Sequence, residues 1–165
     1  MAGDTRRCVL LTGPAGRIGR GFQEEYLRKF REHYDLRIAV HITRGDALIS
    51  DVVEMDIASL EQVKEACRGV DTVVHLAANA DSQAGFCEAL LEPNIVGAYN
   101  LFEAAHQMGC RRVVYASSIH AVMGYPVDLQ VHHDSPPRPD TLYGVTKLFG
   151  EGLCSSYSYL HGLSC

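Results

Sequence analysis

The chain has 165 residues, of which 47% are hydrophobic and 21% are charged, and its formal net charge is −5. This length and composition fit one globular domain with an ordinary core. The acidic balance argues against a nucleic-acid partner, and no apolar run approaches the roughly 18–20 residues that span a membrane.

The first half of the chain alternates strand and helix patterns. In chain order it predicts a strand at 8–12, a helix over 18–34, strands at 36–42 and 51–56, and a helix at 59–67. The last of these opens with Ser59 and carries Gln62 three residues later, which is a capping-box pattern.

The second half continues the alternation. It predicts a strand at 71–78, a helix over 88–108 that Gly109 ends, a strand at 112–118, a proline-rich loop around 135–140 and a helix over 142–160. Alternation of this kind favours a parallel sheet with helices on both faces. We therefore expect an α/β fold, a Rossmann-type doubly wound sheet, with residues 1–165 forming a single domain.

A glycine-rich segment, TGPAGRIGRGF, joins the first predicted strand to the first predicted helix. Gly13, Gly16 and Gly19 have the spacing that allows a sharp turn, close approach of a pyrophosphate and tight packing of helix on strand. The N–H groups at the start of the helix would then face the phosphates. Because the triplet sits inside a β-α-β unit, we interpret it as a dinucleotide-binding loop.

The end of the second predicted strand lacks the acid that would accept hydrogen bonds from the ribose of NAD. Val40 and His41 stand there, Arg44 follows, and Asp46 is farther along the loop. Either His41 or Arg44 is suited to a 2′-phosphate, so the sequence leaves both NAD and NADP open.

Tyr143 and Lys147 are four residues apart in a predicted helix and share one face. An ammonium group near a phenol favours the phenolate, which suits a tyrosine for general acid/base catalysis. Ser117 and Ser118 end the fifth predicted strand, at the edge of an α/β sheet where ligands bind. One of these hydroxyls is a candidate to hold a substrate oxygen.

The six cysteines form no C-x-x-C pair and no zinc-finger spacing with the histidines. We expect free thiols in a reducing, cytoplasmic compartment, and no metal site.

Four segments, TGPAGRIG, DTVVHLAA, ASSIHAVMGYP and YGVTK, resemble the extended short-chain dehydrogenase/reductases, the NAD-dependent epimerase/dehydratase family. Within that family, NIVGAYNLFEAA and RPDTLYGVTKLFGE look most like the uronate dehydrogenases. The resemblance implies an NAD(P)-dependent oxidoreductase. Its implied reaction oxidises a sugar acid, such as a hexuronate, at the anomeric carbon.

The resemblance also implies roles for individual residues, with catalysis assigned to Ser118, Tyr143 and Lys147. The implied cofactor contacts are Gly13, Gly16, Arg17, Ile18, Gly19, Asp56, Ile57, Leu76, Ala77, Ala78, Asn94, Tyr143 and Lys147. Among them, Asp56 matches the acid that binds the adenine amino group, and Asn94 a helix residue near the nicotinamide. The implied substrate contacts are Ser82, Ser118, Ile119, His120 and Tyr143.

The sequence departs from the uronate dehydrogenase pattern at two places. Those enzymes carry SSNH where this chain has SSIH, so Ile119 removes a polar side chain from the sugar pocket. The loop NADSQAGF is one residue longer than expected, and Asp81 or Ser82 would replace its polar positions.

The last helix is followed by LHGLSC, where the alternation calls for another strand. We therefore expect a C-terminally truncated member of the family, with the C-terminal side of its sheet incomplete and its substrate-binding part absent. Such a chain would bind cofactor weakly and turn over little. The alternatives are a nucleotide-sugar epimerase of the same family and a catalytically inactive form. The resemblance also implies a homodimer formed through the 88–108 and 142–160 helices.

Overall fold

In the computed structural model, which describes residues 6–41 and 49–165, five parallel strands form one sheet. The strands are β1 Arg7–Thr12, β2 Tyr34–Val40, β3 Asp51–Glu54, β4 Thr72–His75 and β5 Arg112–Tyr115. Their order across the sheet is β3-β2-β1-β4-β5. The direction of progression reverses between β1 and β4, and open α/β sheets bind ligands at the carboxyl ends of the strands beside such a switch point.

Within the described residues, three α-helices connect the strands and a fourth follows β5, and π-helical segments extend two of them. They are α1 Arg17–Glu25 with the π-helical segment Tyr26–Phe30, α2 Leu60–Cys67, the π-helical segment Phe86–Val96 leading into α3 Gly97–Gln107, and α4 Leu142–His161. A short 3-10 turn, Ile119–Ala121, follows β5. Pro93 lies inside the second π-helical segment, where its missing N–H removes a regular helical hydrogen bond. The predicted Rossmann-type α/β fold is confirmed.

Successive side chains of β1 point to opposite faces of the sheet and pack in two separate hydrophobic cores. Leu10 packs in a cluster with Phe102 of α3, whereas Leu11 packs with Ile38 and against Phe22 of α1. Both leucines are fully buried, and burial of each side chain contributes about 1.5–3 kcal/mol to the stability of the fold. Helices α2, α3 and α4 cover the first face, and α1 covers the second.

Several boundaries of the predicted strands and helices were wrong. Strands β4 and β5 end at His75 and Tyr115, because β1 offers no partner beyond Thr12, where the chain turns into the glycine loop. Tyr34 pairs with Arg7 in the sheet and is not part of a helix.

The capping box predicted for α2 does not form. The Ser59 side chain makes no capping hydrogen bond, and Gln62 Oε1 instead accepts a hydrogen bond from the Asp56 N–H at 2.8 Å.

The outer edge of β5 is paired at one point by the last residues of the chain. The Val113 N–H donates to the Ser164 carbonyl at 2.8 Å, and the Ser164 N–H donates to the Arg111 carbonyl at 3.2 Å. This parallel bridge lies where the alternation predicts a further strand. Within residues 6–41 and 49–165, each helix is too short or too polar to span a bilayer.

Candidate functional site

A cavity of about 1100 Å³ lies over the carboxyl ends of the central strands. It is at the upper end of the volumes usual for ligand pockets. Its walls come from the glycine loop, the ends of β2 and β3, the segment after β4, and the π-helical segment before α3. The lining residues include Gly13, Gly16, Val40, His41, Asp56, Ile57, Ala77, Ala78, Asn79 and Glu92.

The three glycines of the loop meet three separate steric demands. Gly13 has φ of +69°, and a Cβ there would lie 2.7 Å from the Ala77 nitrogen. A Cβ on Gly19 would overlap the Gly13 carbonyl oxygen, so α1 can pack on the turn only without a side chain there. A Cβ on Gly16 would meet only the Gly13 oxygen, at 3.5 Å, which leaves Gly16 open toward the cavity. These features fit a loop that cradles a pyrophosphate.

Helix α1 begins where the loop meets the cavity. Gly16 is its N-cap residue and has no side chain with which to cap the first turn. The first N–H groups of a helix have no partner within the helix and carry the positive end of its dipole. Arg17 and Ile18 occupy this turn with exposed side chains, so they offer a bound phosphate backbone N–H groups.

Gln23 stabilises the glycine loop by hydrogen bonds to its carbonyl groups. This residue was not identified from the sequence. Its side chain is buried, and Nε2 donates to the carbonyls of Pro14 at 3.0 Å and Gly19 at 3.3 Å. A polar residue one turn after the third glycine, on the face that packs against the loop, was the signal available in the sequence.

The segment after β3 forms the predicted adenine side of the cavity. Asp56 and Ile57 both line it. The Asp56 carboxylate accepts a hydrogen bond from the Ala58 N–H at 2.9 Å, which closes a tight turn. Asn100 of α3 donates to the carbonyls of Ile57 and Ala58, at 3.1 and 2.9 Å, and fixes this turn from behind. Asn100 is a second buried polar residue that sequence reasoning did not single out.

The end of β2 presents Val40 and His41 to the cavity, where an acid was expected for NAD. Arg20 and Glu24 of α1 also line this side. Arg44 and Asp46, the other candidates named for the ribose end, lie outside the described residues.

The segment after β4 is tied to β1 by a buried polar network. Thr12 Oγ1 accepts from the Ala77 N–H at 3.2 Å and lies 2.7 Å from His75 Nδ1. Burial lowers the pKa of His75 to about 3, so its imidazole is neutral near pH 7. Ala77 and Ala78 line the cavity, while Leu76 packs against the Leu11 core.

Asn94 joins the cavity wall to α4. It is 3% exposed, and its Nδ2 donates to the Asn79 carbonyl at 2.9 Å and to Thr146 Oγ1 at 3.1 Å. Its Oδ1 accepts from the Asn79 N–H at 2.8 Å. Thr146 in turn donates to the Tyr143 carbonyl at 2.7 Å. The side chain predicted to lie near the nicotinamide is thus saturated by protein partners.

Tyr143 and Lys147 share one buried face of α4, as their spacing predicted. Lys147 Nζ donates to the Ala116 carbonyl at 3.0 Å. It lies 5.1 Å from the centroid of the Tyr115 ring and 5.6 Å from that of Tyr143. Burial lowers the pKa of Lys147 to about 8, so the amine is still mostly protonated at pH 7.

Ser118 and His120 meet the start of α4. Ser118 Oγ accepts from the His120 N–H at 3.3 Å, and the His120 ring stands edge-on to Tyr143 with centroids 5.6 Å apart. Ile119 instead points into a second cavity, of about 620 Å³, below the proline-rich loop. Neighbouring Ser117 donates to Glu151.

Ser82 is half-buried on the loop after β4. The structure places His120 and Lys147 beside the Tyr143 ring, and Ser118 joins this group through its hydrogen bond from the His120 N–H, whereas Ile119 lines the second cavity.

Thiols and acids do not assemble into a metal centre in the described ranges, where no three His, Cys, Asp or Glu side chains converge. All six cysteines are free thiols.

Comparison with known proteins identifies the family to which the chain belongs. Residues 9–165 match the NAD dependent epimerase/dehydratase family. Uronate dehydrogenase of Agrobacterium fabrum is 39% identical over 149 residues, which cover 90% of this chain and 55% of that protein. An L-arabinose 1-dehydrogenase (NAD(P)(+)) of Haloferax volcanii is 35% identical and covers 94% of this chain and 63% of its own length.

Comparison with solved structures finds the same class of relatives. The crystal structure of uronate dehydrogenase from Agrobacterium tumefaciens superimposes with a TM-score of 0.85 and 36% identity, over 96% of this chain and 58% of that one. A mutant of that enzyme has been solved in complex with NAD. The chain spans little more than half the length of these relatives. Since the family match covers nearly the whole chain, the protein belongs to the NAD-dependent epimerase/dehydratase family.

Proposed function

We propose that this chain is the nucleotide-binding part of an NAD(P)-dependent dehydrogenase that oxidises a sugar acid, such as a hexuronate, at its anomeric carbon. One observation supports it above others: Tyr143, Lys147 and Ser118 converge beside His120, and the Asn94 junction couples them to a dinucleotide-sized cavity. The free thiols support a reducing, cytoplasmic setting.

In the proposed reaction, Tyr143 takes the proton of the anomeric hydroxyl while the C–H bond at that carbon breaks and a carbonyl forms. NAD, when bound, accepts the two electrons and the hydrogen as hydride. Ser118 holds the sugar oxygen by a hydrogen bond, and the Lys147 ammonium favours the tyrosine phenolate. Gly13, Gly16 and Gly19 would hold the pyrophosphate, and Asp56 the adenine.

Cofactor titration and turnover test the proposal. The chain should bind NAD, and a version extended to the full length of its relatives should, with galacturonate or glucuronate, generate the absorbance of reduced nicotinamide. Tyr143→Phe keeps the ring but removes the acid/base group, so it should bind NAD like wild type and lose turnover. Absence of reduced cofactor with both sugars, and with NAD and NADP alike, would sink the dehydrogenase proposal.

The ribose end of the cavity supports acceptance of NADP alongside NAD. His41 and Arg20 line it together with Glu24. The described end of β2 carries Val40 and His41 in place of the acid that would repel a 2′-phosphate. The name of the Haloferax volcanii relative also includes both cofactors. His41→Asp should weaken NADP binding relative to NAD; an unchanged ratio of the two dissociation constants contradicts this assignment.

An epimerase is the second candidate, because UDP-glucose 4-epimerase of Thermus thermophilus superimposes with a TM-score of 0.83 at 28% identity. An epimerase retains its cofactor and regenerates it in each cycle. NAD that co-purifies with the chain, together with no net reduction by hexuronates, would favour this candidate.

We also propose a homodimer through α3 and α4. Leu142, Val145 and Phe149 are exposed along one face of α4, and Tyr99 is exposed on neighbouring α3. Sedimentation should give a dimer that Val145→Asp dissociates. A wild-type monomer at all concentrations tested would refute it.

A further inference from the structure

Asp140 lies immediately before the N-cap of α4, and its carboxylate meets the His120 ring. His120 Nδ1 and Asp140 Oδ1 are 2.8 Å apart, with side chains 25% and 28% exposed. An ionised carboxylate can only accept hydrogen bonds, so Nδ1 carries the proton and donates it. This hydrogen bond holds the pKa of the Asp140 carboxyl below its usual range, which keeps the group ionised at neutral pH.

The carboxylate is itself anchored to α4. Thr141 Oγ1 donates to Asp140 Oδ1 at 3.3 Å and accepts from the Gly144 N–H at 3.0 Å. A Cβ on Gly144 would overlap the His120 carbonyl oxygen, so the loop after β5 rests directly on the first turn of α4. His120 and Asp140, 20 residues apart in sequence, are therefore held by one compact junction.

The hydrogen bond between Asp140 and His120 fixes the His120 ring beside Tyr143. His120 packs edge-on against Tyr143, with an interplanar angle of 74°. With Nδ1 bound to Asp140, ring rotation and tautomer are both fixed, and Nε2 keeps a free lone pair. Within the described residues, Nε2 has no hydrogen-bond partner. A lone pair beside the tyrosine is suited to accept a hydrogen bond from a sugar hydroxyl.

We propose that Asp140 is a positioning residue of the site, which fixes His120 in the Nδ1–H tautomer so that Nε2 accepts a hydrogen bond from a hydroxyl of the bound sugar. The sugar contact rests on the proposed function, whereas the tautomer depends only on this chain.

Nitrogen NMR of the chain labelled with ¹⁵N-histidine tests the tautomer, recorded with neutral imidazoles. The wild-type His120 spectrum should show the proton on Nδ1, and Asp140→Ala should remove that preference. Asp134→Ala is the matched control, because Asp134 is an exposed carboxylate of the same loop. A wild-type proton on Nε2, or an identical spectrum in Asp140→Ala, overturns the proposal. The wild-type spectrum decides this even if Asp140→Ala fails to fold.

Titration of NAD-saturated protein with galacturonate tests the sugar contact. The His120 Nε2 resonance should shift on binding, and Asp140→Asn should bind galacturonate about two- to tenfold more weakly while NAD affinity stays unchanged. Galacturonate that binds without moving Nε2, or binds equally to Asp140→Asn, overturns the positioning role. Failure of galacturonate to bind wild type contradicts the proposed function and removes the sugar contact, while the tautomer stands on its own spectrum.

Discussion

The two sides of the site are built differently. On the cofactor side, main-chain turns and buried polar side chains define the cavity, and Thr12, Gln23 and Asn94 each have hydrogen-bond partners. On the substrate side, the loop between β5 and α4 carries exposed apolar side chains such as Met123 and Leu129. The cofactor side is therefore rigid and intolerant of added atoms, whereas the loop should tolerate substitution.

Gly13→Ala should have the largest effect. A left-handed backbone costs alanine about 1–2 kcal/mol, and overlap with main-chain atoms of Leu76 and Ala77 adds about 1–3 kcal/mol. Urea unfolding should show this loss, and NAD binding should fall at least tenfold. Gly21→Ala is the control, because nothing lies within 4 Å of a Cβ there and alanine favours the helix. Equal stability of both variants would mean that the loop is not rigid.

Lys147 should make stability depend on pH. Because burial lowers its pKa to about 8, the folded state loses the proton at a pH where the unfolded chain still holds it. Stability should then rise from about pH 8 to the ordinary lysine range, by up to about 2–3 kcal/mol. Urea unfolding of wild type and Lys147→Met at pH 7.5 and 9.5, under reducing conditions, isolates this rise. A parallel pH dependence in the two proteins would show that Lys147 is not desolvated.

Asn94→Ala tests the junction between the two sides. It removes three hydrogen bonds and leaves the partly buried N–H and carbonyl of Asn79 without these partners, at a cost of about 1–3 kcal/mol. Because Asn79 lines the cavity, NAD affinity should fall together with thermal stability. Asn94→Asp keeps the shape but buries a carboxylate oxygen against the Asn79 carbonyl, so it should lose at least as much stability as Asn94→Ala. Full NAD affinity in Asn94→Ala would show that the junction only stabilises the fold.

The sequence predicts the cofactor side better than the substrate side for a physical reason. Strand periodicity and the glycine spacing are local, so the fold and the loop geometry at Gly13 follow from neighbouring residues. Asn100 and His75 act through contacts with distant segments, and no local pattern distinguishes them from surface polar residues. The Asp140–His120 pair was missed because 20 residues separate its members.

Ile119→Asn should have the smallest effect on stability and the most informative effect on function. Ile119 is 68% exposed, so the change should alter unfolding free energy by less than about 0.5 kcal/mol. The asparagine supplies the polar side chain that the resemblance to the uronate dehydrogenases implies between the serine pair and the histidine. If the sugar binds beside His120, galacturonate should bind more tightly while NAD affinity is unchanged, as measured by calorimetry. Weaker sugar binding would mean that the isoleucine itself forms part of the pocket, and a large loss of stability would contradict the tolerance expected of this loop.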